Sequence, residues 1–151
     1  MKERVKAALE KFDAGYDCSH SILSAYADLF EFDDQSVQTI QRPCGPMTGR
    51  AMSVCGAVAG AIKALNQKLR EEREAGNDTA KKSEMIREFR ERFEKLHGTV
   101  SCTELLGVDI SQMDGQEIAL EQDLFRTKCH AFVTDAAEIL EDLIDIKLRD
   151  E

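Results

Sequence analysis

Only two prolines occur in this chain of 151 residues, Pro43 and Pro46, and they lie three positions apart. Proline lacks the backbone N–H and breaks a helix interior. A chain without it elsewhere is free to be helical on both sides of one interruption. That interruption is Arg42-Pro43-Cys44-Gly45-Pro46-Met47-Thr48-Gly49-Arg50, two Pro and two Gly in nine residues, which reads as a loop. Apolar spacing agrees with this division. Alternation of period two never persists beyond four or five residues, so no strand is expected. The expectation is an all-α, single-domain bundle of about six or seven helices over residues 1–151.

The helical stripes are explicit. Val5, Ala8, Leu9 and Phe12 form the first, which Gly15 ends. Asp17 is a candidate cap for a second helix with the stripe Cys18, Ile22, Ala25 and Leu29. A short helix is expected from Ser36 to Gln41. A long one should run from about Ala51 to Glu74 on Ala51, Val54, Cys55, Val58, Ile62, Leu65 and Leu69, its charged second half projecting into water or packing on one side only. Gly76-Asn77-Asp78 should end it. The next is expected from Thr79 to Leu96, with Met85, Ile86, Phe89, Phe93 and Leu96 inward and His97-Gly98 as its terminus. Ser101-Cys102-Thr103-Glu104 has the capping-box pattern, opening a short helix that ends at Gly107. Asp114 offers a second cap. The last helix, to about Leu148, carries Cys129, Phe132, Val133, Ala136, Leu140, Leu143 and Ile144 on one stripe.

Charge narrows the classes of partner. Twenty basic against 29 acidic residues leave a net charge of −9, which disfavours nucleic acid and anionic membrane surfaces. No apolar run approaches the roughly 20 residues that span a bilayer. The apolar stretch after Met1-Lys2-Glu3-Arg4 stops at Glu10-Lys11, which reads against a signal peptide. A cytoplasmic location is therefore expected, where transient or metal-bound thiols are more natural than lasting structural disulfides.

The chemistry rests on cysteine. Cys18, Cys55, Cys102 and Cys129 each sit on, or at the start of, an apolar stripe. Cys18 and Cys102 fall in first helical turns, where free N–H groups and the helix dipole favour a thiolate. Cys55 reads as one turn inside its helix. It precedes Gly56 and Gly60, which lie one turn apart and leave a bare ridge for another helix, a sulfur atom or a small group. Buried packing is the alternative for any single cysteine. The separations of 37, 47 and 27 residues match no compact metal motif.

The ordered series is more specific than its parts. Tyr16-Asp17-Cys18, Met47-Thr48-Gly49-Arg50, Cys55-Gly56-Ala57-Val58-Ala59-Gly60, His97-Gly98 with Cys102, and Cys129 before a helical tail together resemble the C_GCAxxG_C_C family. That family is regarded as redox-active on account of its cysteines. Its four signature cysteines map onto Cys18, Cys55, Cys102 and Cys129. Related domains occur in split-Soret cytochromes, linked to an iron–sulfur centre. The resemblance implies thiol, disulfide or iron–sulfur chemistry with an unknown redox partner protein. One departure is plain: Pro43-Cys44-Gly45-Pro46 replaces the family's glycine cluster. It adds a fifth thiol, Cys44, which is a resolving thiol, an extra ligand or a loop residue without function.

Other candidates carry less. His20 and His130, one or two positions from cysteines, point to other helical faces and read as surface residues. His97 reads as a C-terminal cap. Asp33-Asp34 and Glu71-Glu72 read as solvated faces. Three functions stay open. The first is thiol–disulfide exchange or electron transfer by Cys18, Cys55, Cys102 and Cys129, needing no cofactor, with Cys55 central. The second is an iron–sulfur cluster or other metal held by the same four. The third is a helical interaction domain in which the cysteines only pack. The charged helices from Lys63 to Leu96 offer a surface for self-association.

Overall fold

Seven helices form among the residues described by the structure, a computed structural model: 3–16, 18–26, 54–77, 79, 84–109 and 112–149, with backbone only at 125 and 145–149. They are α1 (Glu3–Asp13), α2 (Cys18–Tyr26), α3 (Gly56–Glu74), α4 (Glu84–His97), α5 (Cys102–Leu106), α6 (Met113–Glu121) and α7 (Leu124–Arg149). No strand occurs among the described residues. The architecture is the expected all-α bundle. The Ser36–Gln41 helix, the 42–50 loop, the Asp17 cap, Leu29, Ala51 and Asp33-Asp34 lie outside the described residues.

Apolar spacing dictates the inward faces. Val5, Ala8 and Leu9 bury one side of α1, and Met85, Phe89 and Phe93 one side of α4. On α7 the positions from Cys129 to Ile144 repeat at three and four residues, and this helix packs against α1, α2, α3, α4 and α6. Phe93 meets Phe132 edge to face at 6.3 Å between ring centroids, joining α4 to α7. Tyr26 is fully buried. Its hydroxyl donates to Ala137 O at 3.0 Å or Glu141 Oε2 at 2.9 Å, so the polar tip is satisfied inside the core.

Helix ends follow the glycines. Gly15, Gly76, Gly98 and Gly107 all have positive φ, the conformation that terminates a helix with least strain in glycine. Ser101 caps α5 by accepting from Glu104 N–H at 3.4 Å. The capping box is only half made, because Ser101 N–H donates to Thr99 Oγ1 instead.

Four expectations need correction. α3 begins at Gly56, so Cys55 is its N-cap and not one turn inside. The reason is long-range: Cys55 N–H donates to Val100 O at 2.8 Å, where a helix interior would require a partner four residues back. α6 begins at Met113, with Gln112 at the N-cap position and no side-chain cap bond, which places Asp114 in its first turn. The Glu71-Glu72 pair is not a solvated face, since Glu72 is only 7% exposed. Its carboxylate meets Lys68 Nζ at 2.9 Å and accepts from Asn77 Nδ2 at 2.7 Å. Leu96 was expected inward, but it is 61% exposed at the end of α4.

Candidate functional site

Three helix beginnings and one helix interior bring the cysteines to one core. Cys18 is the first residue of α2, Cys55 caps α3, Cys102 opens α5, and Cys129 lies on the inner face of α7. None is more than 3% exposed. Two hydrogen bonds hold their backbones together. Cys55 N–H donates to Val100 O, two residues before Cys102. Ser19 Oγ donates to Gly56 O at 3.0 Å, tying the residue after Cys18 to the residue after Cys55.

Gly60 explains how α2 and α3 come so close. A Cβ at that position would lie 3.0 Å from Ser19 O and 3.3 Å from Ile22 Cβ. The bare ridge is therefore filled at Gly60 by the helix that carries Cys18. Its role is close helix packing: of the occupants expected on the bare ridge, another helix is the one that meets Gly60. Gly56 contributes its carbonyl to Ser19.

The redox states differ. Cys18 is disulfide-bonded, and Cys55, Cys102 and Cys129 are free. The sulfur joined to Cys18 thus lies outside the described residues, as does Cys44.

Electrostatics reverse one expectation. A helix start was expected to lower the Cys102 pKa, but burial pushes it up to about 12, and the charges of Cys55 and Asp109 add to the rise. Desolvation of a thiolate outweighs the first-turn dipole, which is worth only about 0.3–2 kcal/mol. Burial also raises Cys55, opposed by the N–H groups of Ala57 and Val58 at the start of α3. Burial raises Cys129 as well, with the charge of Cys55 next and that of Cys102 after it. The three thiols are thus within electrostatic reach of one another, and Cys55, when ionised, is the sulfur that weighs most on both others. All three are neutral at pH 7.

The histidines divide differently from expectation. His20 is buried beside the Tyr16 ring, 4.6 Å between centroids, and is not a surface residue. It lies in the first turn of α2, which packs on both α1 and α3 and leaves little of that turn exposed. His130 is partly exposed, with Nε2 4.0 Å from Asp13 Oδ1. His97 ends α4, but its ring reaches across to α7. Nε2 pairs with Asp135 Oδ2 at 2.7 Å, and the ring stands edge-on to Phe132 at 5.0 Å.

Several supporting residues had no local signal. Val100, Ser19 and Asp135 act through partners far along the chain. Gly115 is another: a Cβ there would land on the Asp109 backbone, whose side chain weighs on Cys102. Only its glycine identity hinted at a close approach.

An iron–sulfur cluster would use four thiolates. The described residues do not fit that set. Cys18 is committed to a disulfide, and no three His, Cys, Asp or Glu side chains among the described residues are grouped to hold a metal ion. Among the described residues, no helix is long and apolar enough to cross a membrane.

Comparison with known proteins agrees with the cysteine series. A family model described as "Putative redox-active protein (C_GCAxxG_C_C)" matches residues 16–143, most of the chain and all four clustered cysteines. No curated protein and no solved structure matches it. By that match, and by the cysteine order that its fold gathers into one core, the chain belongs to the C_GCAxxG_C_C family.

Proposed function

We propose that this chain is a thiol–disulfide redox protein whose reacting pair is drawn from Cys55, Cys102 and Cys129. The observation that carries this reading is three buried, electrostatically coupled thiols in one core with an oxidised cysteine on the adjoining helix.

Cys55 is the attacking sulfur in this reading. At the start of α3 the Ala57 and Val58 N–H groups favour its thiolate. In oxidation, Cys55 and Cys102 or Cys129 each lose a proton and together lose two electrons, and one S–S bond forms. The electrons go to a disulfide of a redox partner, whose S–S bond breaks to give two thiols through a mixed disulfide. The partner is of the dithiol–disulfide class. Reversal of the same steps reduces the protein.

The test is disulfide mapping by mass spectrometry before and after a mild thiol oxidant, on protein prepared without oxygen and assayed for iron and sulfide. The reading requires one specific new disulfide among the three cysteines in metal-free protein. Stoichiometric iron and sulfide with visible absorption would replace it with a cluster. No specific disulfide would leave the cysteines as packing residues.

A further inference from the structure

We infer that the His97–Asp135 pair latches the strap from Gly98 to Ser101 against the thiol core, so that opening of this strap controls when a redox partner reaches Cys55 and Cys102. This rests on the thiol–disulfide reading above and adds its regulation, by naming the contact that keeps the thiols shut in.

The strap is the first reason. α4 ends at His97 and α5 begins at Cys102, so residues 98–101 are irregular chain between two helices. Gly98 turns the chain with a φ of 85°. Two residues on, Val100 is buried, and its carbonyl accepts the Cys55 N–H at 2.8 Å. Ser101 caps α5, and Cys102 follows it. One short segment thus supplies the backbone acceptor of one thiol residue and leads directly into a second. Moving it disturbs both at once.

The anchor is the second reason. His97 Nε2 lies 2.7 Å from Asp135 Oδ2, which joins the residue before the strap to α7. Ionised, the Asp135 carboxylate can only accept, so Nε2 carries the hydrogen. The two side chains are 17% and 30% exposed, and a hydrogen bond to a charged group so far removed from water holds better than an exposed ion pair. The His97 ring is further fixed against Phe93 at 4.7 Å and edge-on to Phe132 at 5.0 Å. Cys129, Phe132 and Asp135 follow one another along α7 at steps of three residues, so the latch grips the helix that carries the third thiol.

Access is the third. Cys55, Cys102 and Cys129 are each no more than 3% exposed. Exchange needs a partner's sulfur in contact with one of theirs, so part of the bundle must move first. Cys55 and Cys129 belong to helices of 19 and 26 residues, whose displacement breaks many bonds. The strap is four irregular residues, and lifting them is the smaller opening.

The experiment is hydrogen exchange at single backbone amides of the full chain, held anaerobically. The Cys55 N–H has its acceptor on the strap, so its exchange reports strap opening. The amide of Leu65, buried in the middle of α3, reports opening of the whole bundle. Asp135→Ala should speed Cys55 exchange about tenfold more than Leu65 exchange, and should speed Cys102 alkylation at fixed pH by a similar factor. A small disulfide oxidant should then form the inner disulfide correspondingly faster. Asp135→Asn leaves the Nε2–H an acceptor and should restore most of the protection. His97→Phe keeps a ring beside Phe93 and Phe132 but has no donor, and should open the strap as Asp135→Ala does; it decides the matter if Asp135→Ala does not fold. Equal acceleration at Cys55 and Leu65 would mean that the pair only stabilises the bundle, and the latch is overturned. Unchanged exchange at both overturns it as well. In either case an inner disulfide formed by the oxidant leaves the dithiol reading standing, and its absence from every chain removes that reading too.

Discussion

The two ends of α3 bury ionisable groups by opposite means. At the N-terminal end, Cys55 is followed by Gly56, Ala57, Val58, Gly60 and Ala61, all buried, and burial keeps its thiol protonated. At the C-terminal end, Glu72 is buried too, but it has Lys68 and Asn77 within hydrogen-bond distance. One end removes charge and the other pairs it. The lesson is that paired charge serves to hold a helix end in place, whereas unpaired neutral thiols hold a latent ionisation. Only the second kind can change state without losing a structural partner, which is what a redox site requires.

The contrast can be broken first at the thiols, where the expected effect is largest. With Cys102 at about 12, its thiolate fraction at pH 7 is roughly a thousandfold below that of a free thiol near 8.5. Alkylation of the folded chain should be about 10³-fold slower than of the unfolded chain, and should rise about tenfold per pH unit between 7 and 9. Rapid, pH-independent labelling would show that burial does not control these thiols. The same shift links to stability. A thiol that holds its proton more tightly when folded contributes stability below its unfolded pKa. That contribution is lost as pH rises from about 9 towards 12, so denaturation midpoints should fall over that window.

Gly60→Leu comes next. Its side chain must displace the α2 backbone at Ser19, at a cost of about 2–3 kcal/mol in chemical denaturation. A variant as stable as wild type would mean that α2 and α3 tolerate separation. Glu72→Ala should cost about 1–2 kcal/mol by leaving Lys68 and Asn77 without their carboxylate, and Glu72→Gln should recover part of this through the Asn77 bond. Equal stabilities for the two variants would show that charge pairing contributes nothing at that end. Arg87→Ala provides the baseline. Its ion pairs to Glu84 and Glu91 are largely exposed, so the loss should stay within about 0.5 kcal/mol.

Local signals account for what was legible beforehand. Gly15, Gly76, Gly98 and Gly107 end helices because each adopts a positive φ, and Ser101 caps α5 because its hydroxyl reaches Glu104 N–H three residues on. The order of four cysteines marked the core that now holds them. What escaped depends on partners distant in the chain. The start of α3 shifted to Gly56 because Val100 supplies an acceptor from 45 residues away. Glu72 is buried because the chain turns after Gly76 and brings Asn77 back onto it. His97 left its capping role for Asp135 on another helix. The rise in the Cys102 pKa is likewise a property of packing: helix position predicted its direction wrongly because desolvation is the larger effect.

The most direct test of the redox role is an equilibrium titration of the reduced full chain across thiol–disulfide buffers, with differential alkylation read at each cysteine. A redox pair within the trio requires Cys55 and one of Cys102 or Cys129 to lose reactivity together, reversibly, in a single two-electron transition. If all three remain alkylatable after denaturation at every potential, the trio is packing and the Cys18 disulfide stands alone.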